Sequence, residues 1–195
     1  ALLSVAGLLI WAFRAFPPGH HVRRGAVASA ALIIIESLLG AALVLFGWTA
    51  FDKSLARVIM QPIHLTNTLL LLAAVLYTAR AASGGAPLEL RGQGWRPGLF
   101  LAGALGLIVI SGTGSLISLG DLLFPAPNLV EGLAQKFDPA ANFLVRLRLW
   151  HPGIAIGVGL YLIWLALSYG PAAPTMTARR LAWGVVGLVA AQWAV

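Results

Sequence analysis

The sequence predicts an all-α membrane protein: a multi-pass transmembrane helical bundle with a pseudo-twofold repeat. Of the 195 residues, 59% are hydrophobic and 10% are charged, and the mean hydropathy is +0.90. A water-soluble domain of this length cannot bury so much apolar surface, so lipid must solvate much of the chain. The stretches between the charged residues are apolar, and their lengths are close to the roughly 20 residues that a membrane-crossing helix needs.

Charges and helix breakers divide the chain into six predicted spans. In order, these cover residues 1–13, 25–51, 58–79, 97–120, 142–169 and 178–195. Pro17-Pro18-Gly19 closes the first span, and Pro97 begins the fourth, where its missing N–H costs nothing. The first and last spans are short, so we expect them to be parts of longer helices. Residues 121–141 form a predicted polar loop with room for one short amphipathic helix.

A weak internal repeat groups the spans into two halves. GLLIW at residues 7–11 is similar to LYLIW at residues 160–164, and a Pro/Gly turn, an Arg-Arg pair and a new apolar helix follow each. We therefore predict a first-half bundle over residues 1–82, a cytoplasmic linker over 83–96 and a second-half bundle over 97–195. The repeat projects further histidines just upstream of Ala1 and beyond residue 195.

The basic residues predict the orientation in the membrane. One side holds eight basic residues and one acid, Glu89; these basic residues are Arg14, Arg23, Arg24, Arg80, Arg91, Arg96, Arg179 and Arg180. The other side holds five basic residues against four acids. The positive-inside rule assigns the first set to the cytoplasm, which places His64 and His151 near the outer face of what we expect to be a bacterial inner membrane. The net charge of +7 then reflects membrane flanks and not nucleic-acid binding.

His64 and His151 are the candidate metal ligands. Each lies within the first turns of an otherwise apolar segment, after Gln61-Pro62-Ile63 and before Pro152-Gly153 respectively. A neutral imidazole can ligate a metal, and haem iron is the usual one where no Cys or carboxylate cluster accompanies the histidine. The chain has no Cys, which excludes thiolate sites and disulfides. The alternative is a hydrogen-bonding or packing role, with His151 beside Trp150 in an interfacial belt.

Three further features have both a functional and a structural interpretation. Arg146 and Arg148 precede His151 and can pair with haem propionates, or they are an ordinary snorkelling flank. Glu36 lies inside a span, where an ionisable group costs a few kcal/mol unless it is paired or protonated, so we expect a protonated or hydrogen-bonded core residue. The SGTG sequence at residues 111–114 can admit a flat macrocycle or serve close helix packing.

The order and spacing of several motifs resemble the haem A synthase family of cytochrome oxidase assembly proteins, eight-helix membrane proteins built from two four-helix halves. The resemblance covers essentially the whole chain, as the second to seventh helices of that family. The motifs are Arg23-Arg24 leading into ESLLG at residues 36–40, HLTNT at 64–68, SGTG at 111–114 with LGDLLFP at 119–125, and LRLWHP at 147–152.

This resemblance implies a specific chemistry. Members oxidise a ring methyl of haem O to the formyl group of haem A, and each half holds a haem site between two histidines near the outer face. His64 would be an axial ligand of the substrate haem, and His151 a ligand of a bound haem B. The catalytic glutamate of the family would lie upstream of Ala1. Glu36 departs from the family, which usually has Gln there, as Gln192 is in the second half.

Two classes of function remain open at this point. The first is a haem-modifying enzyme that works with cytochrome oxidase assembly factors. The second is a non-catalytic haem-binding or structural subunit of a larger respiratory or photosynthetic membrane complex, which Glu36 and the short ends of the chain favour. A transporter is a third possibility, supported by the repeat and the glycine-rich helices.

Overall fold

The computed structural model describes residues 1–49, 52–86, 88 and 92–194. These residues form helices joined by short connections, and the described part of the chain contains no strand. The helices are α1 (Leu2–Ala15), α2 (His21–Leu45), α3 (Leu55–Ala82), α4 (Arg96–Leu123), α5 (Leu129–Phe137), α6 (Phe143–Tyr169) and α7 (Met176–Ala194). The predicted all-helical class is confirmed. The predicted end of the second span at Phe51, and the orienting charges Glu89 and Arg91, lie outside the described residues.

Four helices are long and apolar enough to cross a membrane: α2, α3, α4 and α6. The shortest of them has 25 residues, which at 1.5 Å per residue spans about 38 Å and exceeds the hydrocarbon thickness of a bilayer. Helix α1 is a shorter apolar helix of 14 residues, and α7 is not one of the four. Large apolar side chains such as Leu38 and Leu160 are more than half exposed, as a lipid-facing surface requires. The chain is an integral membrane protein in contact with lipid.

Local capping explains where the helices differ from the predicted spans. Helix α2 begins four residues before the predicted start, because His20 Nδ1 accepts a hydrogen bond from Val22 N at 3.3 Å and caps the helix. It ends at Leu45, and Gly47 follows with a φ of 69°, a left-handed conformation that favours glycine. Helix α3 begins early for the same reason, with Ser54 as its cap. Helix α5 is the short helix anticipated in the loop.

The chain packs as two compact units, Ala1–Glu89 with Ser118–Pro125 and Leu90–Ile117 with Ala126–Val195. In the first unit, α2 packs against α1 and α3. Gly25 allows the close approach of α3, because a Cβ there would lie 2.3 Å from Thr78 Oγ1. Small residues commonly set helix spacing in membranes in this way. The division into halves over residues 1–82 and 97–195 stays a prediction.

In the second unit, α6 contacts α4, α5 and α7. The Tyr161 hydroxyl donates to Leu99 O at 3.0 Å, near the start of α4. A Cβ at Gly106 would lie 2.8 Å from Val158 Cγ1, and one at Gly159 would lie 2.5 Å from the Trp193 ring. Glycines thus set the spacing of α6 from both of its long neighbours.

Candidate functional site

His64 lies on α3, in the third turn of that helix, and faces α2. Pro62 lies inside α3 just before it, and its missing N–H leaves the carbonyl one turn earlier without the usual helical donor. The ring contacts α2 at Gly40, where a Cβ would lie 3.7 Å from His64 Cε1. The histidine side chain is 33% exposed, so one side of the ring remains open.

A polar network on α2 and α3 surrounds this ring. His64 Nδ1 lies 3.5 Å from Glu36 Oε1, which is within ion-pair range but longer than a hydrogen bond. Asn67 Nδ2 donates to Glu36 Oε2 at 2.6 Å, and the Thr68 hydroxyl donates to Glu36 Oε1. Asn67 Nδ2 also reaches Leu32 O at 3.0 Å. Glu36 is therefore the hydrogen-bonded core residue that the sequence led us to expect, and its side chain is 16% exposed.

His151 lies on α6 and faces α4 in the second unit. Thr113 Oγ1 is 2.8 Å from His151 Nδ1, and it also lies 2.8 Å from Val109 O and 3.1 Å from Ile110 O. A hydroxyl carries one proton, which can go to a backbone carbonyl while Oγ1 accepts from Nδ1–H. This arrangement fits the Nδ1–H tautomer of His151, which leaves the lone pair on Nε2.

The two rings have the same local arrangement. Each contacts a glycine of the preceding membrane-spanning helix through Cε1, at 3.7 Å for a Cβ on Gly40 and 3.4 Å for one on Gly114. His151 Nδ1 is hydrogen-bonded to Thr113, His64 Nδ1 makes no hydrogen bond but lies 3.5 Å from Glu36 Oε1, and within the described part of the chain neither Nε2 makes a hydrogen bond. A histidine that ligates a metal through Nε2 while a second group holds Nδ1–H has this arrangement.

Sequence reasoning missed Gly40 as a contact of His64 and gave Gly114 only a general role. A signal was present in the register of the helices. Helices α2 and α3 run antiparallel, and counting outward from the Gly25–Thr78 contact places Gly40 opposite His64. The starting pair, Gly25 and Thr78, is a tertiary contact, however, and the sequence does not indicate that these two residues meet.

The two candidate arginines lie in the first turns of α6. Arg148 is half-buried and Arg146 is exposed. Arg148 precedes His151 by three residues, so both lie on one face of the helix, whereas the five-residue spacing of Arg146 turns it to a different face. Helix geometry thus favours Arg148 as the residue nearer to any group held by His151. Pairing of either arginine with haem propionates stays a prediction.

A metal ion held directly by protein side chains would need a cluster of ligands. In the described ranges, no group of three or more His, Cys, Asp or Glu side chains is placed to hold one. Haem differs, because the porphyrin supplies four nitrogens and the protein only one or two axial ligands. One histidine from each unit, His64 and His151, meets that smaller requirement, and iron binding stays a prediction.

Comparison with known families decides what kind of protein this is. The family model COX15-CtaA, described as cytochrome oxidase assembly protein, matches residues 1–195. The chain belongs to this family. The resemblance predicted from the order of the sequence motifs is therefore confirmed.

The curated relatives of this COX15-CtaA chain have a different name. Two proteins called protoheme IX farnesyltransferase, from two strains of Thermus thermophilus, are each 47% identical to it over 192 residues. The match covers 98% of this chain and 32% of each relative, so the chain spans about a third of the length of the curated relatives it matches. No solved structure has significant similarity to the chain.

Proposed function

We propose that this chain is part of a membrane protein that oxidises a methyl group of haem O to the formyl group of haem A for cytochrome oxidase. In this proposal His64 is an axial ligand of the substrate haem and His151 an axial ligand of haem B. The observation that carries the proposal is that each ring has a polar side chain next to Nδ1, Thr113 at 2.8 Å for His151 and Glu36 at 3.5 Å for His64, while Nε2 makes no hydrogen bond to the described residues. Family membership supports a haem-related role.

The residues of the chain would hold and orient the haems, while the haem iron would supply the redox chemistry when bound. Thr113 would hold the ring of His151 through its contact with Nδ1 and would leave Nε2 to bind the iron. Gly40 and Gly114 lie next to the rings on the neighbouring helix, where a Cβ would be in van der Waals contact with Cε1. Arg148, with Arg146, would pair with propionates at the outer surface.

The relatives support a farnesylated haem as substrate. The activity in their name, transfer of a farnesyl group to protohaem IX, yields a farnesylated haem, and haem O belongs to that class. We further propose that the protein lies in a bacterial inner membrane with His64 and His151 near the outer face, because the basic residues concentrate on the opposite side. Assembly factors of cytochrome oxidase would then be its partners.

A second candidate function is a non-catalytic haem-binding subunit of a larger membrane complex. The observation that favours it is Glu36, an acid in contact with His64 at a position where the resemblance implies Gln. Both candidates require haem on the histidines, and only the first requires turnover. They are therefore separated by whether haem O is converted after haem binding has been established.

Haem binding is tested on the full-length protein by a reduced-minus-oxidised absorption spectrum and by chromatography of the extracted haems. We expect His64→Ala and His151→Ala each to lose one haem species and to keep the other. His21→Ala is the matched control, since His21 begins α2 and makes no hydrogen bond to the described residues. A wild-type protein without haem, or histidine variants that keep both haems, would contradict the proposal.

A further inference from the structure

The polar side chains next to His64 include a carboxyl group, whereas the hydrogen-bond partner of His151 is a neutral hydroxyl. Glu36 lies one helical turn before Gly40, and Asn67 and Thr68 lie one turn after His64, so that all three meet next to the ring. The corresponding positions around His151 lie one helical turn before Gly114 on α4 and one turn after His151 on α6. They are occupied by apolar residues: Ile110, Ile154 and Ala155. Within the described residues, the side chain hydrogen-bonded to His151 is Thr113.

Both carboxyl oxygens of Glu36 lie next to polar side chains of α3. Asn67 donates to Oε2, and Thr68 donates to Oε1, so both oxygens accept. The Thr68 hydroxyl also lies 3.1 Å from His64 O. His64 Nδ1, buried and 3.5 Å from Oε1, needs a shift of only a few tenths of an ångström to donate a hydrogen bond to the same oxygen.

We propose that Glu36 is a positioning residue that acts through His64 Nδ1 and gives the haem at His64 a more negative reduction potential than the haem at His151. A carboxylate next to Nδ1–H draws that proton toward itself and makes Nε2 a stronger electron donor. Stronger donation and a nearby negative charge both stabilise oxidised iron, which lowers the reduction potential. A threonine hydroxyl carries no charge and has a much weaker effect. This inference rests on the proposed binding of haem at both histidines.

The test is a redox titration of the full-length, haem-loaded protein. Glu36→Gln keeps the size of the side chain and removes its charge. We expect the potential of the His64 haem to become more positive, and the iron–histidine stretching frequency of that haem, measured by resonance Raman spectroscopy, to fall. The potential of the His151 haem should stay unchanged. The His151→Ala variant, which leaves the His64 haem alone, assigns the two potentials.

Two control variants separate this effect from a general change of charge or of stability. Glu131→Gln makes the same charge change on exposed α5 and should move neither potential. Glu36→Asp keeps the carboxylate and should keep the His64 haem close to its wild-type potential.

Three results would overturn the inference while leaving haem binding established. They are an unchanged potential in Glu36→Gln, an equal shift of both haems, or loss of the His64 haem in both Glu36 variants. The absence of haem from the wild-type protein would instead contradict the proposed function itself.

Discussion

Removing the side chain of Asn67 tests the polar network of the first unit. Asn67 is 7% exposed, and its Nδ2 links α3 to Leu32 O at 3.0 Å and to Glu36 Oε2 at 2.6 Å on α2. Asn67→Ala removes both interhelical hydrogen bonds. It also leaves the Glu36 carboxylate with one donor fewer inside a membrane-spanning pair of helices.

The expected loss in the free energy of unfolding depends on whether each hydrogen bond has a neutral or a charged acceptor. Interhelical hydrogen bonds in membranes contribute about 0.6 kcal/mol on average and about 1.7 kcal/mol at most. Bonds to charged groups in soluble proteins contribute about 1.5–3 kcal/mol. The bond to Leu32 O belongs to the first class, and the shorter bond to Glu36 lies toward the second. We therefore expect Asn67→Ala to lower the free energy of unfolding by about 1–3 kcal/mol.

The assay is reversible unfolding in bicelles, with a double-mutant cycle between Asn67→Ala and Glu36→Gln. Since the two residues share a hydrogen bond, the cycle should give a coupling energy of about 0.5–2 kcal/mol. Thr66→Ala is the matched control, because among the described residues the Thr66 hydroxyl bonds only to Pro62 O of its own helix, at 2.8 Å, and such bonds add little stability. Additive effects in the cycle, or an equal loss in Thr66→Ala, would refute the network.

Three further predictions concern the second unit and the orientation. Thr113→Val should weaken haem retention at His151 by about 10-fold or more, because it removes the partner of Nδ1. Retention is measured by haem titration, and a value equal to that of the wild type would contradict the Nδ1–H tautomer of His151. Gly159→Ala should lower the free energy of unfolding in bicelles by about 1–3 kcal/mol, because its Cβ would lie 2.5 Å from Trp193. The control Gly157→Ala has open space around its Cβ and should leave the free energy of unfolding unchanged. Equal effects of the two variants would count against the α6–α7 packing. Since the chain has no Cys, a single introduced cysteine is the one thiol of the chain that can be labelled. A membrane-impermeant thiol reagent added outside the cell should label Lys136→Cys but not Ser83→Cys. The reverse labelling pattern would show that the orientation is opposite to the predicted one.

The spans were predictable because a bilayer imposes both length and apolar composition on every helix that crosses it. The hydropathy of residues 97–120 and 142–169 located α4 and α6 to within a few residues. The start of α2 was less predictable, because a histidine cap moved it to His21, and histidine is not among the preferred capping residues.

The site was only half predictable for a physical reason. A lone histidine in an apolar segment stands out in the sequence, so His64 and His151 could be named. Their partners could not, because α2 and α6 are apolar nearly all round and the hydrophobic pattern does not say which face packs. Asn67 meets Glu36 across 31 positions of sequence, and Gly114 meets His151 across a loop and a further helix. Such contacts are set by the packing register of the helices.

Conversion of haem O tests the central claim most directly. Membranes that contain the full-length protein are supplied with haem O, and the extracted haems are separated by chromatography and identified by mass. The account predicts haem A with the wild-type protein and with His21→Ala, and none with His64→Ala. A wild-type protein that binds haem at both histidines and yet leaves haem O unchanged would contradict it, and would instead support a non-catalytic haem-binding subunit.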